Sequence, residues 1–385
     1  MPDNRVPPHE SEEFRRALDL LETYGGDRRD LWPQGHEIIM RMRTAGRDPI
    51  PGALQHGDDR TRFLVTRDLQ VMGPHEYQDE LVAVLDDPVD EVRMWAVYAL
   101  ERYDDDPPVE PLIRMLDDPH RGIRDSAAWT LGWFADPRAV APLLARARVV
   151  EGGEAQPVRD ALCWLTATAL DDVLAALRDP DARVRRIVAD ALDSAAEGVV
   201  VMGSIEHELI RAGLQDGEHL RPAVPALLEA LDDPDSEVRG SLLGALASLA
   251  DERALPVLRR LAEHPDPHTR LSAAWALESL DDPQAIELQL AALSDPRADV
   301  RERAAGSLYT TERDERIVPA LMEALGDDSA EVRREAAWSL MVAEDPRAEG
   351  ALRRALDDPD EEVRSAAADA LERLARREDR SNAHD

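Results

Sequence analysis

Ten arginines, each behind a small branched residue, recur along this 385-residue chain: Arg62, Arg93, Arg124, Arg159, Arg185, Arg239, Arg270, Arg301, Arg333 and Arg364. Their spacings are 31, 31, 35, 26, 54, 31, 31, 32 and 31 residues. The surrounding frame is clearest in LDDPVDEVRMWAVYAL, LDDPDSEVRGSLLGAL and LDDPDEEVRSAAADAL. A period of this length specifies a stacked array, because a two-helix unit cannot bury its apolar face alone and must lend it to a neighbour. The expected architecture is all-α, a right-handed α-α superhelix of about ten two-helix repeats.

Within a repeat, an apolar run such as AEGALRRAL reads as a first helix, DDP as a turn and DEEVRSAAADALERLA as a second helix. The turn chemistry predicts Asp358 as the cap of the second helix, Pro359 in its first position and Glu361 completing a capping box. Pro142, Pro225, Pro256 and Pro319 fall in the first turn of first helices, where a missing N–H is tolerated. The spacings of 35 and 26 compensate, so the fourth copy, EGGEAQPVRDALCWL, has only a lengthened turn. The spacing of 54 marks an insertion with an extra short helix around 205–214. The expected organisation is a capping region over 1–53, a first block of repeats over 54–195, an insertion over 196–221, a second block over 222–377 and an unstructured tail over 378–385. In the capping region SEEFRRALDLLETY carries a Phe14, Leu18, Leu21 stripe and reads as a helix, and GGDRRDLWPQG as a loop.

Charge narrows the function classes. The 46 basic residues, all arginine, face 80 acidic ones, for a net charge of -34. Phosphate binding requires a basic stripe that releases counterions, so nucleic acid is excluded as a partner. One cysteine, Cys163, excludes a disulfide framework and an all-cysteine metal site. No apolar run reaches membrane-spanning length and the start has no signal-peptide pattern, which together predict a cytoplasmic location without membrane insertion. A lysine-free, aspartate-rich chain is the composition expected of a salt-loving microbe. So large a net charge repels itself, whereas molar salt shortens the Debye length to about 3 Å. The fold is therefore expected to loosen as KCl is lowered from about 3 M to about 50 mM. Circular dichroism and melting temperature across that range check this, and invariance of both would refute it.

The DDPxxxVR turn and the run that follows it, as in SAAWTL, SAAWAL and EAAWSL, resemble the short HEAT-like repeats of the phycobilisome-lyase type across residues 54–377. The resemblance implies that an Asp before the second helix and an Arg six residues later form a structural ladder between repeats. Asp87 and Arg93, Asp118 and Arg124, Asp179 and Arg185, Asp233 and Arg239, Asp295 and Arg301, and Asp358 and Arg364 have that spacing. Such arrays serve unrelated tasks, so function has to be sought in particular residues.

A helical wheel locates them. With the residue before the Arg at 0° and 100° per residue, the Arg+3, +6 and +7 positions lie near 40°, 340° and 80° and form the core face. The Arg+5 position, near 240°, faces away from that core, yet it holds Tyr98, Trp129, Trp164, Trp275 and Trp338, with Trp133 and Tyr309 nearby. In solenoids of this class the second helices line the concave face, which makes these seven the candidate partner-binding residues. Two readings stand. The rings either lie across neighbouring repeats as packing, or they anchor a protein or peptide with apolar and basic groups, since Trp and Tyr dominate interface hot spots.

The resemblance also raises two enzymes. Deoxyhypusine hydroxylase is a HEAT-repeat enzyme with a di-iron site of His-Glu pairs set in the repeat frame. Here His9-Glu10, His36-Glu37, His75-Glu76 and His207-Glu208 all lie outside that register, where Met94-Trp95 and Asp125-Ser126 stand instead. Irregularly spaced pairs on unrelated elements do not converge on a metal. His264 and His268 flank a turn with two prolines, HPDPH, and lack helical ligand geometry. A bilin lyase is the second, and no nucleophile supports it: Cys163 sits in an apolar stretch beside Trp164. The expectation is a non-enzymatic scaffold or adaptor with no cofactor and no metal. Haloarchaeal proteins of this repeat type include taxis-signalling adaptors, a role the resemblance extends to this chain.

Overall fold

The computed structural model describes residues 6–22, 32–72, 76–103, 106–150, 152–198, 217–309 and 314–382. Every regular element among them is a helix, and within each unit short and long helices alternate in two-helix repeats, an all-α superhelical fold. None of the described helices is long and apolar enough to cross a membrane. Two compact units divide the chain, Met1–Ala191 and Leu192–Asp385.

First helices are short, as in Val109–Met115, Leu255–Leu261 and Glu349–Ala355. Second helices are longer, as in Asp90–Leu100, Arg121–Phe134, Ser236–Leu249 and Ala330–Ala343. Pro225 and Pro256 sit in the first turn of their helices, as the pattern predicts. The expected core face holds: Ala127, Thr130 and Leu131 are fully buried, and so are Ala336, Ser339 and Leu340. In the second unit Ala336 and Leu340 pack with Ile317, Leu321 and Leu352 into one apolar cluster. Buried hydroxyls on this face are satisfied locally, Thr130 donating to the Ser126 carbonyl at 2.9 Å and Ser339 to that of Ala305 at 2.7 Å. Several second helices stop in the left-handed conformation without glycine, at Ala135, Ala250 and Glu344. The aspartate that follows each one caps the next turn by accepting the N–H of Arg138, Arg253 or Arg347.

Departures from the sequence reading have local causes. Helix Ser11-capped Glu12–Leu21 forms as expected and buries Phe14, Leu18 and Leu21. WPQG, expected to be loop, instead opens a helix, Trp32–Thr44, because Pro33 stands where its absent N–H costs nothing. Gly35 there lets the helix approach the first one, since a Cβ would come within 2.7 Å of the Ala17 carbonyl oxygen. In the fourth repeat the second helix runs on into the next first helix, Ala155–Ala175, broken only at Ala169. The extra helix expected around 205–214 lies outside the described residues. The last helix, Glu361–Asn382, continues through 378–382, where an unstructured tail was expected; the stretch contains no Gly or Pro to stop it.

The turn also differs in detail. Asp358 does not cap the last helix. Its carboxylate accepts the N–H of Asp360 at 2.9 Å, and Asp360 in turn accepts from Glu362 and Val363. Pro359 therefore belongs to the turn. The same side-chain turn recurs at Asp87, Asp118, Asp179, Asp233, Asp295 and Asp327, each accepting the N–H two residues on.

The arginine ladder and the aromatic grooves

The carboxylate partners of ladder arginines such as Arg93 and Arg301 are not the aspartates six residues back, as the resemblance implied, but aspartates of the following repeat. The aspartate six residues back presents its main-chain carbonyl to the arginine. Arg93 donates to Asp87 O at 2.8 Å, Arg124 to Asp118 O at 2.9 Å and Arg185 to Asp179 O at 2.8 Å. Arg239, Arg301 and Arg364 reach Asp233, Asp295 and Asp358 in the same way. The carboxylate pairing runs forward to the next repeat: Arg62 to Asp87, Arg93 to Asp118, Arg301 to Asp327 and Arg333 to Asp358, at 2.6 to 2.8 Å. Each such aspartate closes its own turn, accepts a two-point guanidinium clamp from the previous repeat and offers its carbonyl to its own arginine.

Sequence irregularities change the partner. The fourth turn lacks the aspartate, so Arg124 pairs with Glu154 at 3.3 Å. Where His264 replaces it, Arg239 takes Asp266 at 2.9 Å and the Thr269 hydroxyl at 3.0 Å. Asp179 is held by Arg148, and Arg159 pairs with its neighbour Asp160 at 2.7 Å. Arg270 reaches Asp295 only at 3.5 Å.

The aromatics at and beside Arg+5 fall into three environments. Trp164 is 5% exposed and is interior, which corrects the expectation of a groove-facing ring. Its ring and that of Trp129 meet in a T-shaped pair at 5.3 Å, and it lies against Gly132, where a Cβ would come within 2.7 Å of Trp164 Cε3 and 2.5 Å of Ala161 Cα. Partly covered are Tyr98, edge-on to Trp95 at 5.7 Å, Trp129, stacked on Trp133 at 5.9 Å, and Trp275, under the Arg303 guanidinium at 4.5 Å. Tyr309 and Trp338 are exposed, at 46% and 43%, and meet edge to face at 6.2 Å.

Two grooves open at this register. In the first unit one of about 470 Å³ is lined by Tyr98, Glu101, Asp125, Trp129, Gln156 and Asp160 among others. In the second unit one of about 430 Å³ is lined by Arg334, Glu335, Trp338, Met341, Glu362 and Asp369 among others. Both lie between consecutive second helices and both take their tryptophan from Arg+5. The larger cavity, about 670 Å³ between 51–55 and 79–88, lies away from the aromatics and abuts the Arg62 to Asp87 pair.

Glu101, at the base of the first groove, escaped the sequence reading. It is half-buried, its hydrogen-bond partner is the Thr130 hydroxyl at 3.4 Å, and burial pushes its carboxyl up to about 7. Helical spacing places it at Arg+8, flanking the Arg+5 position, but nothing in the sequence distinguishes a groove-lining glutamate from a solvated one. Burial pushes the Cys163 thiol up to about 12, and the side chain is enclosed, as expected of a packed thiol. His36 pairs with Asp68 at 2.9 Å and His9 packs on His56, while His75 and His207 lie outside the described residues. Among the described residues no three His, Cys, Asp or Glu side chains gather as metal ligands would.

A family model described as HEAT repeats matches residues 79–163, 224–309 and 287–372, more than half of the chain. No curated protein matches the sequence. Among solved structures the chain is similar to yeast importin-β (Kap95p), with 15% identity and a TM-score of 0.54, over 97% of this chain and 56% of that one. Kap121p bound to Pho4p matches with 13% identity and a TM-score of 0.53, over 95% and 46%. Kap95p from a study of its binding to RanGDP matches with 13% identity and a TM-score of 0.50, over 94% and 61%. The chain spans about half the length of these structures, and at such identities the likeness is one of fold.

Proposed function

The chain belongs to the HEAT-repeat family, and from that premise we propose that it is a non-enzymatic scaffold that docks a protein partner on the face formed by its second helices. The observation that carries the reading is the recurrence of a tryptophan-walled groove at the Arg+5 register in each unit, with Tyr309 and Trp338 left open beside the second. Exposed paired aromatics beside a groove whose lining is mainly acidic and apolar suit a partner with apolar and basic groups. Protein binding by the fold's neighbours agrees with this, since Kap95p is described with RanGDP and Kap121p with Pho4p. The net charge of -34 and the absence of lysine favour a salt-rich cytoplasm as its setting.

The test is quantitative capture of partners on tagged protein at molar salt. The Tyr309→Ala, Trp338→Ala double variant is expected to lose a partner that the wild type retains, with its melting temperature nearly unchanged, because both rings are substantially exposed. Full retention by that variant would reject the docking face. Trp164→Ala serves as the contrast: its buried ring contributes to stability, by about 3–5 kcal/mol.

A further inference from the structure

We infer that the groove of the first unit receives a basic side chain of the partner, an arginine guanidinium stacked on Trp129 with the Glu101 carboxylate as its counter-ion. The inference rests on the docking face proposed above and gives it a chemical specificity.

Three observations converge. First, among the described residues no cation pairs with Glu101, a carboxylate of the groove. Asp125 is bound by Arg121 at 3.3 Å and Asp160 by Arg159 at 2.7 Å, whereas Glu101 receives only the Thr130 hydroxyl. A carboxylate half removed from water and left unpaired is costly, and a cation that enters recovers that cost. Second, the protein already contains the arrangement once. Trp275, also at Arg+5, carries the guanidinium of Arg303 from the next repeat over its face at 4.5 Å. Arg303 makes no ion pair or hydrogen bond with any described residue, so the ring is its partner. Third, the position equivalent to Arg303 opposite Trp129 is Ala161, which is buried and supplies no charge. The groove thus presents the aromatic wall and the acid but lacks the cation.

Arginine suits this better than lysine. Its planar guanidinium can lie on the indole and still present a two-point fork to a carboxylate, while an ammonium ion is a strongly hydrated point charge. The groups facing Glu101 are Thr130 and Asp125 from the Arg124 repeat and Asp160 from the Arg159 repeat, with Arg102 on its own segment turned to solvent. The neighbours lining the groove are therefore acidic or neutral, and arginine binding is expected to weaken as pH falls and Glu101 takes up a proton.

The experiment titrates the full chain, labelled with 5-fluorotryptophan, with N-acetyl-arginine amide and with its neutral isostere N-acetyl-citrulline amide. The Trp129 fluorine resonance is identified by its loss in Trp129→Phe. The arginine amide is expected to shift that resonance saturably in the millimolar range, and the citrulline amide to bind at least about tenfold more weakly. Glu101→Gln should weaken the arginine amide by about tenfold and abolish its dependence on pH between 6 and 8. Equal shifts from the two amides, or wild-type binding by Glu101→Gln, would overturn the inference. The amide comparison uses unaltered protein, so it stands even if a variant folds poorly. Capture by the Tyr309 and Trp338 variant is read at the other groove, so failure of the arginine site and failure of the docking face give separate results.

Discussion

Asp118→Ala is expected to destabilise the first unit by about 3–5 kcal/mol, whereas Asp117→Ala, one residue earlier, should stay within about 0.5 kcal/mol of wild type. Both belong to the same LDDP turn, but Asp117 is exposed and Asp118 buried. Asp118 accepts Arg93 Nε at 2.8 Å and Nη2 at 3.0 Å, together with the His120 N–H at 2.8 Å. Alanine would strand the buried Arg93 guanidinium without a counter-ion and open the turn, and the uncompensated charge dominates the loss. Asp118→Asn keeps a shape and one acceptor, so an intermediate loss is expected. Denaturation at constant high salt measures the series. Equal costs for Asp117 and Asp118 would contradict the forward-running ladder.

The ladder also sets the response to acid. Burial opposes the charge on Asp118, but Arg93 and the His120 N–H outweigh it and hold the carboxyl below the usual carboxylate range. Arg301 and Arg333 hold Asp327 and Asp358 down likewise. For groups so depressed, the native state resists protonation that the unfolded chain accepts. Their contribution is complete above the ordinary carboxylate pKa and is lost as pH falls through the depressed native values.

Glu101→Gln is expected to act in the opposite sense, stabilising the protein by about 3 kcal/mol at pH 8 and hardly at all below pH 4.5. The native carboxyl titrates near 7 because burial disfavours its charge, while an unfolded glutamate titrates near 4.5. Between these values the native state holds a proton that the unfolded state releases, so native stability declines as pH rises across that window and levels off above it. Glutamine retains the hydrogen bond from Thr130 and removes the buried charge. Melting curves of the two proteins should therefore converge toward pH 4 and separate toward pH 8. A constant difference across that range would show that Glu101 does not titrate in the native groove. A stabilised variant that has lost arginine binding would mark Glu101 as a residue kept at a cost in stability.

The repeat period, the two-helix unit and the core positions at Arg+3, +6 and +7 could all be read in the chain, because each depends on local periodicity repeated ten times. The same ruler located the aromatic register at Arg+5. What the sequence did not contain was the partner across each repeat interface. Arg93 stands six residues from Asp87 and twenty-five from Asp118, and only stacking decides that its side chain clamps the distant carboxylate while the near residue offers a carbonyl. Tertiary packing also separated identical wheel positions. Trp164 is enclosed by Gly132 and Trp129, Trp275 is covered by Arg303, and Trp338 stays open. It left Glu101, an ordinary acid in an acidic chain, in a half-buried groove without a cation. A wheel gives the direction of a side chain from its own helix; its burial and its charge partners depend on which residue the next repeat places opposite it.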